Sequence, residues 1–161
     1  MRKFKVKQTR VKAINRPIEE IIIHCSDTEE GLDYKANDID DWHRDRGFEG
    51  IGYHYVVDLD GTIELGRDLQ RAGAHVKDHN YNSIGICYIG GRDSNGEAAD
   101  TRTDAQKQAL RNLLQVLLSV WPHAHISGHR DWTKSKECPC FDAAKEYADL
   151  NGDVYVQGNG R

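Results

Sequence analysis

Residues 18–26, "IEEIIIHCS", constrain the fold of this chain more than any other stretch. Three consecutive isoleucines leave no polar face. The run is too short for a typical helix, and β-branched side chains suit a pleated strand. A central strand is expected over residues 19–25, with His24 at its end.

The segments around it alternate in character. Asn37 is a plausible helix N-cap, with Asp38, Asp40 and Asp41 in the first turn, Arg44 and Arg46 in the last and Gly47 as terminator; this short helix would bury Ile39 and Trp42. "YHYVVDLDGTIELGR" reads as two strands joined around Asp60-Gly61, a dipeptide that tolerates positive φ in a tight hairpin. "SIGICYIGG" supplies a strand over 83–91. Thr103 and Gln106 form a capping box opening the longest helix, whose apolar face is expected at Ala105, Ala109, Leu113, Val116, Leu117 and Val120, with Pro122 ending it. A strand near 124–127 and a last helix through "FDAAKEYADL" complete an α/β layer architecture, a central mixed sheet flanked by helices.

No internal repeat or long linker divides the 161 residues, so one domain is expected: a basic arm over 1–17, a core over 18–150 and a Gly-rich, loosely held tail over 151–161. The first sixteen residues carry seven Lys or Arg and no acid, and Lys3, Lys5 and Lys7 alternate with Phe4 and Val6 as in a sheet-edge strand. The same charges could attract an anionic polymer or a protein partner. A chain of this size buries roughly 70% of the surface it exposes unfolded, so it needs no disulfide staples. Its net charge of -4 argues against a dedicated nucleic-acid binder. No apolar run reaches the roughly 18 residues of a membrane span, and no apolar h-region follows the basic start, so neither an anchor nor a signal peptide is expected. Cys25, Cys87, Cys138 and Cys140 fit reduced thiols or a metal site better than a disulfide framework.

"SGHRDWTKSKECPCFD", residues 127–142, concentrates groups with possible chemistry. His129 and Cys138 are nine residues apart, a span that can fold back so that both reach one ion, although the spacing alone is weak evidence. Cys138 and Cys140 enclose one proline, one residue short of a redox Cys-x-x-Cys. His43, His54, His75, His79, His123 and His125 read first as structural residues, with His123 and His125 as an alternative metal pair if they share a strand face. Tyr53 and Lys136 taken alone read as a core tyrosine and a solvated loop lysine.

Five stretches in order, "IIIHCSDT", "GYHYVVDLDGTIELGRD", "GAHVKDHNYNSIGICYIGG", "GHRD" and "KECPCFD", carry a resemblance over about residues 18–150. Together they resemble the zinc-dependent N-acetylmuramoyl-L-alanine amidases of type 2, more closely the small phage lysozyme-type amidases and more distantly the peptidoglycan recognition proteins. The resemblance implies a Zn2+ site of His24, His129 and Cys138, catalytic roles for Tyr53 and Lys136, and a substrate-contacting His75 at the pocket rim. It also implies hydrolysis of the bond between N-acetylmuramic acid and L-alanine in peptidoglycan. The chain departs from the pattern at Cys140, and strand alternation should turn Cys25 away from the metal.

That reading places the protein in a phage or prophage lysis setting, a monomer held in the cytoplasm until it is released to the cell wall. Two alternatives stand beside it. One is a peptidoglycan-binding module without catalysis; the other is an amidase that also binds and regulates a polymerase, with the basic arm as its contact.

Overall fold

The computed structural model describes residues 14–151. The expected edge strand in the basic arm, and the tail beyond Asn151, lie outside the described residues.

The isoleucine run forms β1 (Glu20–Cys25), and the short β2 (Thr28–Glu29) follows it. Helix α1 (Ala36–Asp45) leads to the hairpin of β3 (Tyr55–Val57) and β4 (Ile63–Leu65). A long loop then enters β5 (Ser83–Tyr88) and the short β6 (Gly91–Arg92). Helix α2 (Asp104–Val120), β7 (His125–Gly128), a 3-10 turn over His129–Asp131 and the one-turn α3 (Ala143–Glu146) end the order. The main sheet runs β4-β3-β5-β1-β7, and β2 pairs with β6 in a second, two-stranded sheet. Only the β3–β4 pair of the main sheet is antiparallel, which makes it the mixed sheet expected. Its hairpin turns at Gly61, φ 86°.

β1 lies between β5 and β7, so both its edges are paired, and its residues alternate between the two faces of the sheet. Ile21, Ile23 and Cys25 join Ile84, Ile86, Tyr88, Tyr55 and Val57 under α2. On the opposite face Val56, Cys87 and Ile89 pack against Ile39 of α1 and Ile51. His24 projects on this second side.

Helix α2 opens on the expected box, with the Gln106 amide donating to the Thr103 hydroxyl at 3.0 Å and Thr103 N–H to Gln106 Oε1 at 2.9 Å. Its buried stripe is Gln106, Ala109, Leu110, Leu113, Leu114 and Leu117. Ala105 is exposed and Val116 and Val120 only half-buried, so the apolar face is rotated from the expected one. The rotation is set by Gln106, whose carboxamide enters the core to donate to the Val57 and Ile89 carbonyls.

Helix α1 starts earlier than expected, capped at Lys35 and not Asn37. The reason is not local: the Glu64 carboxylate of β4 accepts from Ala36 N–H at 2.7 Å, while Asp38 accepts from Lys35 N–H at 2.8 Å. The helix buries Ile39 and His43, one turn apart, and leaves Trp42 half-buried against Tyr34.

The last helix is a single turn. Past it the chain bends so that the buried Asn151 side chain pairs with both the N–H and the carbonyl of Ile126, covering the outer edge of β7. Arg102 staples α2 to α3 through Asp100 and both oxygens of Glu146, its guanidinium stacked 3.4 Å over the Phe141 ring. The buried Arg16 instead donates to the carbonyls of Leu69, Tyr81 and Ser83, tying the long loop before β5 to that strand.

Candidate active site and metal centre

Strand β1 delivers His24 at its end, and β7 delivers His129 directly after its own. The loop after His129 folds back on itself. Thr133 N–H donates to the His129 carbonyl and Arg130 N–H to the Cys138 carbonyl, at 3.0 and 2.8 Å. The Tyr88 hydroxyl holds the Pro139 carbonyl at 2.6 Å, and the Cys25 amide donates to Cys138 Sγ at 3.1 Å. As a result the donor atoms of His24, His129 and Cys138 all lie within 4.8 Å of one another, the one such group of three among the described residues.

Two imidazoles and a thiol are a donor set that suits zinc. Tetrahedral zinc would hold such atoms about 3.4 to 3.7 Å apart, so the widest gap needs to close by about 1 Å. The three side chains therefore fit a metal ion and leave a fourth position open. The Cys25 N–H aimed at Cys138 Sγ fixes the direction in which the sulfur is presented.

Burial, followed by the charges of His75, His129 and His43, holds the His24 pKa well below that of a free imidazole. Burial and then the Lys136 ammonium lower His129. Both rings are thus kept neutral, the form that ligates. Burial pushes the Tyr53 phenol well above its ordinary range, so Tyr53 stays protonated, with its ring 5.0 Å from that of His24. Lys136 is exposed on the loop and lines the same cleft of about 890 Å³. The structure thus brings all five of these residues to one place.

His75 lines the cleft as well, half-buried, but both its ring nitrogens are engaged inside the protein. Nδ1 lies 2.8 Å from His24 Nε2 and Nε2 lies 3.1 Å from Ser83 Oγ. His54, His79 and His125 serve elsewhere. His54 Nδ1 accepts from Gly85 N–H, and its burial lowers its pKa to about 4. His79 stacks on Trp132, and His125 Nδ1 lies 3.4 Å from the Glu20 carboxylate.

His43 is the cleft residue that sequence reasoning left among the structural histidines. Its Nδ1 accepts from Gly52 N–H at 2.8 Å, and its ring sits 5.4 Å from Tyr53. The available signal was its position one turn after Ile39 on the inward face of α1.

All four cysteines are free thiols. Cys25 joins the core under α2, but it also lines the cleft beside Cys138, and its Sγ is 3.9 Å from that of Cys140.

Fold and donor cluster define a class: a single-domain α/β protein whose cleft carries a donor set that fits a metal ion. The particular family follows from comparison. The profile of the N-acetylmuramoyl-L-alanine amidase family, Amidase_2, matches residues 14–141, and the chain belongs to that family. It is similar to the endolysin of Enterobacteria phage T3, 40% identical over 124 residues that cover 77% of this chain and 82% of the relative. Among solved structures it is similar to the N-acetylmuramoyl-L-alanine amidase LysC from Clostridium intestinale URNW, with a TM-score of 0.71, 28% identity and coverage of 84% and 87% of the two chains. It is also similar to the ectodomain complex of peptidoglycan recognition proteins LCa and LCx bound to tracheal cytotoxin, with a TM-score of 0.68, 27% identity and coverage of 83% and 82%. The protein is a peptidoglycan amidase.

Proposed function

We propose that this amidase is a zinc enzyme in which His24, His129 and Cys138 hold the ion, and that it cleaves the bond between the lactyl group of N-acetylmuramic acid and L-alanine during phage or prophage lysis. The observation that carries the reading is the convergence of those three donors within 4.8 Å, beside Tyr53 and Lys136, in a chain of this family.

What zinc supplies when held there is polarisation of the amide carbonyl and acidification of bound water, whose pKa falls to about 7. The side chains do the rest. Tyr53, kept a neutral phenol by burial, is a hydrogen-bond donor at the reacting centre and not a base. Lys136 brings an ammonium to the same wall as Cys138 and offsets the negative charge that develops on the former carbonyl oxygen. Arg46, Lys77 and Arg92 also line the cleft, and although Asp27 pairs with Arg92 at 2.6 Å and Glu137 lies on the same wall, the cations outnumber the acids there, which suits the anionic stem peptides of peptidoglycan.

A complete donor set speaks against a binding module without catalysis. The arm that would serve a polymerase or another protein partner lies outside the described residues up to residue 13. No helix among the described residues is long and apolar enough to cross a membrane.

Mass spectrometry of peptidoglycan incubated with the zinc-loaded protein is the test. Stem peptides with a new L-alanine amino terminus, lost on chelation and restored by zinc, are expected. Wall that is bound but unchanged would overturn the catalytic reading.

A further inference from the structure

The stretch "GAHVKDHNYNSIG", residues 73–85, runs from the cleft wall into β5. Its polar atoms form one ordered unit. The Asn80 carboxamide oxygen accepts from both His75 N–H and Val76 N–H, at 2.8 and 2.9 Å, and so fixes the backbone that carries the His75 ring. That ring lies flat against Gly85 of β5, where a Cβ would stand 2.8 Å from two of its carbons, so only glycine leaves room for it. Ser83 and Gly85 share a face of β5, two residues apart, and the register places Cys87 of that same face opposite His24.

The direction of the hydrogen bonds follows from donor counting. Ser83 Oγ is 2.7 Å from the His79 carbonyl, which can only accept, so the single hydroxyl proton is used there. Toward His75 the hydroxyl must therefore accept, and His75 Nε2 carries the proton. In a neutral ring Nδ1 is then a bare acceptor, and His24 Nε2, 2.8 Å away, must donate to it. The second nitrogen of His24 is left as the lone pair.

We infer that His75 is a positioning residue for the metal ligand His24: the chain from the His79 carbonyl through Ser83 and His75 fixes the tautomer and orientation in which His24 offers Nδ1 to the ion. This replaces the substrate contact expected of His75 from sequence, because neither of its nitrogens remains for a ligand. It rests on the assignment of His24, His129 and Cys138 as the metal site. Outer partners of ligating histidines act in this way generally, and losing one typically costs about 10 to 100-fold in metal affinity.

The test is zinc affinity, read by competition with a chromogenic chelator on the full chain, with thermal melting of each metal-free protein as the control for folding. His75→Leu should bind zinc about 10 to 100-fold more weakly. His75→Asn, whose carboxamide oxygen can stand near the place of Nδ1, should recover most of that loss while melting no higher than the Leu variant without metal. Ser83→Ala, which keeps the ring but frees its Nε2–H, should show a smaller loss in the same direction and decides the matter if His75→Leu does not fold. A folded His75→Leu protein with wild-type zinc affinity overturns the inference and leaves the ligand assignment standing. Three imidazole ligands in the outer-shell scattering of the zinc X-ray absorption spectrum would overturn it too, by making His75 a ligand. If the wild-type protein takes up no zinc, the ligand assignment falls and this inference with it.

Discussion

The two faces of the central sheet are made by alternate residues of the same strands, yet they are held by different forces. Under α2, Ile21, Ile23, Ile84, Ile86 and Tyr88 meet Leu110, Leu113, Leu114 and Leu117 in an apolar layer whose stability scales with area and tolerates small errors in direction. On the other face a smaller apolar cluster of Val56, Cys87 and Ile89 packs on Ile39 and Ile51, and beside it His24, Ser83 and Gly85 sit among directional contacts of 2.7 to 3.1 Å. The first face carries the larger apolar core. The second uses the rigidity of the first to aim a few polar atoms.

If that division is real, the largest effect should come from removing a donor on the cleft face. Cys138→Ala should abolish both zinc retention and turnover while the protein stays folded by circular dichroism; full activity in a metal-free variant would sink the proposed mechanism. On the opposite face, Leu113→Ala should cost about 2 to 5 kcal/mol in denaturant unfolding, because the side chain is buried among close neighbours. Its zinc affinity measured below the unfolding transition should stay within about twofold of wild type, an outcome argued from the separation of the faces. A matching loss of affinity would show that the faces are coupled. A smaller effect is expected at the cleft wall: Lys136→Ala should lower kcat about 100-fold with zinc binding intact, as for removal of one group that stabilises an oxyanion. Loss of zinc in that variant would instead make Lys136 a support of the loop.

The same division decides what could be read from the sequence. The central strand, the Asp60-Gly61 hairpin and the Thr103 capping box were legible because each is a local pattern with a local cause. The buried stripe of α2 was misplaced by a partial rotation, because Gln106 is polar and yet points inward to two carbonyls that no local pattern exposes. The start of α1 was misplaced for a related reason, since its cap comes from Glu64, 28 residues away. In the cleft, the contact between Cys25 and Cys138 spans 113 positions, so composition and spacing could suggest only His129 with Cys138. The grouping of His24, Tyr53 and Lys136 with them came from resemblance. The partnership of His75 with His24 was not legible, because it depends on which way three hydrogen bonds run.

A buried carboxyl lies where the cleft face meets its helix. Asp58 follows β3 and is almost fully buried, with Oδ2 3.4 Å from Lys35 Nζ and Oδ1 without a hydrogen-bond partner. Burial first, and then the Glu64 carboxylate beside it, raise its pKa to about 7. Glu64 in turn caps α1, so this carboxyl pair ties the helix carrying His43 to the hairpin. The native state therefore holds a proton that the unfolded chain releases near pH 4, and the stability Asp58 contributes falls as pH rises from about 4 to about 7 and then levels off. The buried histidines work in the opposite direction over part of this range, since their folded pKa values are lowered. The informative quantity is thus the difference between Asp58→Asn and wild type in denaturant unfolding. The variant should gain on wild type between pH 4 and 7 and keep that gain at pH 8. A difference independent of pH would mean that Asp58 is ionised throughout, held by Lys35 alone, and that the junction between α1 and the hairpin is an ordinary ion pair.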